Sequence, residues 1–482
     1  SYMWDYIIVG AGPGGLSMAY YLSHYGKKVL ILERENSIGG CHRVRRVDGM
    51  FTEHGPRIYI DNYVVFRDLL ENLGLDYEKM FAPYLFSMSS IGGQSIHNIK
   101  TIELLQLVKA FFKHIANPEW SKSTSVLEFM DKHNFSISSK DYIDRLCRLT
   151  DGAGADRYTM HEFLEIVNQN IFYQIRQPTK PNDQILFPTW ENALLKTGNV
   201  EIKLNSNIRG IDLDLSDPQH KISGVYTDDH QKYSAKNVIF TIAPQSMMNL
   251  LSKSIDHSIK NAFGQFNILN KWAIDSKYIV YIPITYHWDT KIKFPKMYGF
   301  PKNEWGLAFI NLTDYMEMED SRSKTVISVC ITITNTVSKF TRKTADQSTE
   351  EELKTEVYRQ LSLPENTPTP TTVILSPGVY YNQSIKQWET KDSAFMLTKA
   401  GFGPTNSQIF SNLYWTGTHS GKSPYGFTAM EAALANSLYL AHELIPEIKN
   451  KFPIRKAITL VDVSKIMLII IAILLFIFYR SR

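Results

Sequence analysis

The sequence predicts an α/β chain of two domains with an apolar helix near its C-terminus. Three observations carry that reading: a length of 482 residues, a strand–glycine turn–helix–strand unit at the start, and an unbroken apolar run at 466–479. A chain this long exceeds what one ordinary core covers, so two intertwined domains are expected. A hydrophobic fraction of 44% and a charged fraction of 21% are those of a globular protein. The net charge of +4 is small for the length, and no helix-turn-helix, zinc-finger or RNA-binding pattern occurs, so no nucleic-acid partner is expected. The three cysteines, Cys41, Cys147 and Cys330, are far apart with no C-x-x-C pair. That spacing argues against a disulfide framework or a metal site, and for a reducing compartment.

The opening unit is the most informative. Tyr6-Ile7-Ile8-Val9 reads as a buried strand running into Gly10-Ala11-Gly12-Pro13-Gly14-Gly15, a helix over Leu16 to Tyr25, and a second strand Lys28 to Leu32 ending at Glu33. This is G-x-G-x-x-G in the strand–turn–helix context that dinucleotide binding requires, with an acid about 20 residues on. Gly10 makes the tight turn, Gly12 lets the backbone approach a pyrophosphate, and Gly15 lets helix and strand pack closely. The helix N-terminus faces the phosphates with its partial positive charge. The Glu33 carboxylate suits ribose hydroxyls and repels a 2′-phosphate.

The next residues resemble the flavin amine-oxidase superfamily. Glu33-Arg34-Glu35-Asn36-Ser37-Ile38-Gly39-Gly40-Cys41-His42-Arg43 matches its acid-to-Gly-Gly segment, and Asp48 through Gly55-Pro56-Arg57 matches the loop that lies against the flavin ring. Cys41 stands where many members have arginine. Arg43, two places on, has the spacing of protoporphyrinogen oxidases, whose Gly-Pro-Arg is also echoed at Gly55-Pro56-Arg57. The resemblance implies that Arg43 helps hold the pyrophosphate, whereas Arg45 and Arg46 read as a solvated basic loop. Phe187-Pro188-Thr189, a short helix, Val200 to Ile208 and a hairpin closing at Asn237–Pro244 look like the second cofactor segment, with the Ile208 backbone at the adenine. Leu413 to Gly417-Thr418-His419, then Gly426-Phe427-Thr428-Ala429-Met430-Glu431, resembles the closing signature, in which a helix N-terminus meets the pyrimidine end of the flavin.

What the resemblance implies is a Rossmann-like, discontinuous FAD-binding domain over 1–90, 185–260 and 400–445. An inserted α+β substrate domain takes 91–184, which reads helical, and 261–399. The latter has strand-like runs at Tyr278–Tyr286 and Val326–Ile333 and a helix marked by Ser348-Thr349-Glu350-Glu351-Glu352. With no cysteine after Cys330, FAD is expected to be held non-covalently. The cofactor-binding set is then Gly10, Gly12, Pro13, Gly14, Gly15, Glu33, Arg34, Gly40, Cys41, Arg43, Gly55, Pro56, Arg57, Ile208, Gly417, Thr418, Gly426, Phe427 and Thr428.

Phe427, Phe395 and Arg57 are the substrate-facing candidates. Trp388, Lys271, Lys277, His287 and His419 are further candidates, each with an ordinary structural role as the alternative. No metal is expected. The implied activity is oxidation of a small organic substrate, amine-oxidase-like, with hydride passing to flavin N5 and oxygen as acceptor. Two alternatives stand beside it: an oxidase or desaturase of a lipophilic substrate such as protoporphyrinogen, and a non-redox flavoenzyme of the UDP-galactopyranose mutase type.

Residues 446–482 read as a basic linker followed by a C-terminal transmembrane helix. The apolar run alone, about 14 residues or roughly 21 Å, is short of a roughly 30 Å bilayer core. Extended back to Ala457 it reaches about 23 residues and takes in Asp462 and Lys465, with Arg480 and Arg482 on the far side. With no N-terminal leader, the expectation is a tail-anchored protein with a cytosolic catalytic domain, on a mitochondrial outer, endoplasmic reticulum or viral membrane. Truncation after about Asn450 is expected to leave the flavin domain intact.

Overall fold

The computed structural model describes residues 3–84, 99–217, 220–294 and 303–481. The boundary expected near residue 90 and the anchoring role of Arg482 lie outside the described residues.

The chain begins with β1 (Trp4–Val9), α1 (Pro13–Ser23) and β2 (Val29–Leu32), followed by α2 (Val64–Asn72). A helical insert comes next, with α3 (Thr101–Ala116), α4 (Ile137–Asp151) and α5 (Met160–Asn170) as its longest members. α6 (Leu186–Lys196) and β3 (Val200–Lys203) return to the first layer and lead to the meander β4 (Ile208–Leu213), β5 (Ile222–Thr227) and β6 (Lys232–Phe240). A second unit holds β7 (Ile282–Trp288), β8 (Ala308–Asn311), β9 (Thr325–Ile331), α7 (Glu350–Leu361) and β10 (Thr372–Leu375). The chain closes with β11 (Leu413–Trp415), α8 (Met430–Leu444) and α9 (Leu460–Arg480).

Seven strands form the main sheet in the order β3-β2-β1-β6-β5-β4, with β11 also on β6. β1 runs parallel to β2, with Val9 opposite Leu32, and parallel to β6, with Val9 opposite Phe240. β6 is long enough to pair with β5 through its first half and with β11 through its second. The period-2 alternation of a strand splits its side chains between two cores. Tyr6, Ile8, Val29 and Ile31 pack toward α1, α2 and α8, while Ile7, Val9, Leu30 and Leu32 pack on the opposite face with Met247 and Trp415. The second sheet, β8-β9-β7-β10, is antiparallel.

Local sequence accounts for several boundaries. Thr349 caps α7 and Glu352 returns the bond, as the acidic run anticipates. The strand read over Tyr278–Tyr286 is shorter than expected, because β7 begins only at Ile282 and Tyr278 and Tyr281 turn into a cavity instead. The helix expected to open at Gly426-Phe427 begins at Met430.

The stretch expected to be a linker is packed. Phe452 is buried against Tyr20 and Tyr21, its carbonyl meets His442 Nε2 at 2.7 Å, Arg455 pairs with Asp68, and Tyr173 Oη donates to the Ile458 carbonyl at 2.8 Å. Beyond it α9 starts in a capping box between Thr459 and Asp462 and runs for 21 residues with no residue buried.

Candidate active site

A cavity of about 1590 Å³ runs through the junction of the two layers. One end is built by the first βαβ unit. Gly10 turns the chain with φ of +108°, and Gly12 precedes α1, whose first residue is Pro13. The missing N–H of a first-turn proline costs nothing there, so the remaining amides stay aimed at the cleft. Glu33, at the end of β2, is buried. Its carboxylate accepts from Ala11 N at 2.7 Å and Glu35 N at 3.0 Å, which fixes it at the edge of the cradle.

Most of the expected cofactor residues line this cavity: Gly10, Gly12, Pro13, Gly14, Glu33 and Arg34 at one end, Gly40, Cys41, Arg43, Pro56 and Arg57 along its side, Ile208 beside Glu33, and Gly417, Thr418, Phe427 and Thr428 at the far end. Three do not. Gly15 faces Gly10 O, Gly55 lies against Cys330 Sγ and Tyr281, and Gly426 lies against the Glu165 carboxylate, so these three serve close packing and not the cavity wall.

Arg43 is 5% exposed, and its guanidinium donates to Ser37 O at 2.8 Å and Ser37 Oγ at 3.0 Å, beside Glu33 Oε1 at 3.5 Å. It therefore braces its own loop while lining the cleft. Arg45 is not the solvated residue expected. It pairs with buried Asp392 at 2.8 Å, and Arg34, Arg43 and His54 also lie within 3.8 Å of that carboxylate. Arg46 pairs with Asp183 nearer the surface.

Arg57 donates through Nη2 to Cys41 O at 2.6 Å, and its buried Nε has no hydrogen-bond partner among the described residues. Phe395 lines the cavity between Trp272, Phe402 and His419, and Phe427 lies 6.3 Å from Tyr425. Trp388 packs in the core of the second sheet, away from the cavity. Lys271 is exposed and paired with Asp275, and neither it nor Lys277 reaches the lining. His287 is structural, sealed between Ser323 Oγ at 2.8 Å and Phe51 O at 3.0 Å. His419 does line the cavity, but its Nε2 is held by Pro404 O at 3.1 Å, and burial lowers its pKa to about 4.

Several lining groups have no local sequence signal. Asp151 ends α4, Tyr278 and Tyr281 precede β7, Cys330 is on β9, and Asp392 lies in the loop before Phe395. Burial raises Glu53, which accepts from Ser328 Oγ at 2.7 Å, to about 7, and lowers His54 to about 3. Part of the cavity is walled by apolar side chains of α3, α4 and α5, among them Leu107, Phe111, Ile143, Leu146, Phe163 and Ile166.

The residues fit a flavin dinucleotide on grounds independent of any motif. A Cβ on Gly12 would meet only the Gly40 backbone, Cα at 3.5 Å and N at 3.9 Å, so protein packing does not demand the glycine and the spare room belongs to the cleft. Within the lining, the buried Nε of Arg57 lacks a partner among the described residues. The volume exceeds the roughly 300–1,000 Å³ of a pocket for one drug-sized ligand, leaving room for a second molecule.

Residues 8–73 match the model of the NAD(P)-binding Rossmann-like domain family. Over 74 residues the chain is 35% identical to an L-amino-acid oxidase of Echis ocellatus, a match covering 15% of each chain. The chain thus spans only about one-seventh of the length of the curated relatives it matches. Among solved structures it is similar to putrescine oxidase bound to putrescine, with a TM-score of 0.62 and 15% identity over 92% of this chain and 99% of that one. It is also similar to cyclohexylamine oxidase from Brevibacterium oxydans IH-35A, with a TM-score of 0.62 and 13% identity over 93% of this chain and 100% of that one. The fold over nine-tenths of the chain is the one these oxidases share.

Proposed function

We propose that this chain is an FAD-dependent oxidoreductase of the amine-oxidase type, holding FAD non-covalently and oxidising a small organic substrate. The observation that carries the reading is the continuity of the cavity: a dinucleotide cradle at one end opens without a wall into an apolar chamber at the other. Gly12 and the first turn of α1 would hold the pyrophosphate, Glu33 the ribose, and the Ile208 region the adenine. The other half of the cofactor would then reach Arg57, Gly417 and Thr428. FAD bound there supplies a two-electron acceptor, and oxygen is its expected reoxidant. The chain's own residues exclude water through the α3, α4 and α5 wall and position substrate between Phe395, Phe427 and Arg57.

The apolar wall also suits a bulkier lipophilic substrate, the second reading. α9, apolar and exposed from Ile466 to Tyr479, is proposed to insert in a membrane.

One experiment tests the core of this. The purified protein is precipitated with acid and the supernatant examined for FAD, and anaerobic bleaching of the bound flavin is followed with amines, a porphyrinogen and UDP-galactose. Released FAD and bleaching by amines are expected. Flavin remaining with the pellet would overturn non-covalent binding. Bleaching by the porphyrinogen alone would move the assignment to the second reading, and turnover of UDP-galactose without net bleaching would make the protein a mutase.

A further inference from the structure

Beside the apolar chamber lies a pair of buried carboxyl groups that the reading above leaves unused. Asp151 is the last residue of α4 and lines the cavity, 7% exposed. Gly152 follows in the left-handed conformation, with φ of +70°, which ends the helix and leaves Asp151 at its C-terminus. Glu162 comes from the first turn of α5 and is fully buried. The two meet at Thr428, whose Oγ1 lies 3.0 Å from Glu162 Oε1 and 3.4 Å from Asp151 Oδ2, and whose backbone N–H donates to Glu162 Oε1 at 3.3 Å. The second oxygen of Glu162, Oε2, is buried and has no partner among the described residues.

Every element packed on Asp151 presents a group to it. Tyr278 hydrogen-bonds it from the segment before β7, with Tyr281 three residues on. Arg57 and Arg157 face it from loops, Tyr158 and Glu162 from the approach to and start of α5, and Cys147 from its own helix. Two arginines and two buried carboxyl groups do not amount to a structural ion pair, since neither arginine is within salt-bridge distance of either acid among the described residues. An anion at a helix C-terminus is also disfavoured by the dipole. The arrangement is costly for stability and points into a cavity, which is the mark of a ligand site.

We propose that Asp151, backed by Glu162 through the Thr428 hydroxyl, binds the ammonium group of a lipophilic amine and takes its proton. The proposal rests on the oxidase reading and names its substrate class: a cation at one end and an alkyl or aryl body against the α3, α4 and α5 wall. In the step, one N–H bond of the ammonium breaks and an O–H bond forms on the Asp151 carboxylate. The paired charges become a neutral amine and a neutral carboxylic acid. The freed lone pair on nitrogen is what assists loss of the neighbouring hydrogen with its electrons. Burial raises the pKa of Asp151, and burial followed by the charge of Asp151 raises that of Glu162, so the pair holds a proton at neutral pH and releases it when a cation arrives.

The test uses the full-length, flavin-loaded protein in detergent, with hexyltrimethylammonium as a permanent cation and 1-hexanol as its neutral counterpart. Calorimetry in two buffers of different ionisation heat gives affinity and proton release together. The expected result is about tenfold or greater preference for the cation, release of a proton on binding near pH 7, and loss of both in Asp151→Asn, as a charge–charge attraction in a partly buried site predicts. In Glu162→Gln the pH midpoint of cation binding moves down toward the ordinary carboxylate range, which a merely structural role would not produce. Equal affinity for the two ligands, or a cation preference that survives in Asp151→Asn, overturns the proposal, as does an unmoved midpoint in Glu162→Gln. If no amine reduces the flavin but the cation preference holds, the oxidase reading has failed and the cation site has not.

Discussion

A Cβ at Gly12 would make ordinary contact with the Gly40 backbone, Cα at 3.5 Å and N at 3.9 Å, whereas a Cβ at Gly15 would run into the carbonyl oxygen of Gly10. Two glycines three residues apart in one motif therefore have different surroundings, one with open space beside it and the other closing helix against strand. Gly12→Ala is expected to leave the thermal midpoint of the apoprotein unchanged and lower FAD affinity by about tenfold or more, since the new methyl stands where the pyrophosphate must approach. Gly15→Ala is expected to lower the midpoint with or without FAD, by an overpacking cost of about 1–3 kcal/mol. Flavin titration and melting of the two variants side by side decide it. Similar behaviour in both would mean that Gly12 is a packing glycine too.

Among the elements, α2 illustrates how the closing segment holds the first one. Its N-cap residue, Tyr63, offers no side-chain acceptor. The two exposed amides of its first turn are met from a distance of more than 360 residues in sequence: Glu431 of α8 accepts from Val65 N at 2.7 Å and Phe66 N at 3.0 Å. This is a helix cap supplied in trans, satisfying donors that the helix itself cannot. Glu431→Ala is expected to destabilise the fold by roughly 1–3 kcal/mol per orphaned donor, and Glu431→Gln, which keeps one oxygen, by less. Denaturant midpoints measure both, and an Ala variant as stable as the parent would show that water replaces the carboxylate.

On the scale of the molecule, the packed stretch before α9 fixes where the chain can be cut. Phe452 is buried and Ile454 packs on the same core. Removing residues from 465 onward is expected to give a flavin-retaining protein that leaves the membrane fraction in carbonate. Cutting after Asn450 also deletes Phe452 and should cost about 3–5 kcal/mol, as for loss of a buried phenylalanine. If the chain cut at 465 still pellets with membranes, the anchor lies elsewhere.

The buried titrating groups set a second whole-molecule expectation. His54, His161, His287 and His419 are held neutral by burial, at about 3 for the first and about 4 for the others. Unfolded histidines bind protons below about 6.5, so this contribution is full above that pH and is lost as pH falls. Burial raises Glu53 to about 7 and Glu431 to about 8, and also raises Asp151 and Glu162. Their contribution is full below the ordinary carboxylate range and is lost as pH rises through the raised values. Between about pH 4.5 and 6.5 the two sets oppose, whereas above 6.5 only the acids continue. Urea midpoints of the apoprotein cut at 465 are expected to fall from about pH 6.5 to 8. A rise over that upper window would contradict the burial of these acids.

What the sequence determined by itself is what local physics decides within a few residues. The glycine spacing around Gly12, the acid at Glu33, the capped helix beginning at Glu350 and the apolar run inside α9 each follow from backbone geometry, capping or hydropathy, and need no distant partner. Only the tertiary structure decided the rest of the site. Asp151, Glu162, Tyr278 and Thr428 come from four separate segments, and Asp392 meets Arg43 and Arg45 across some 350 residues. No period or spacing marks such groups, because what brings them together is the packing of one layer on another. The same packing moved Arg45 from solvent into an ion pair and Phe452 from a linker into the core. It also turned Tyr278 and Tyr281 away from the sheet and into the cavity, because the cavity wall, and not strand propensity, offers those two rings a place to be buried.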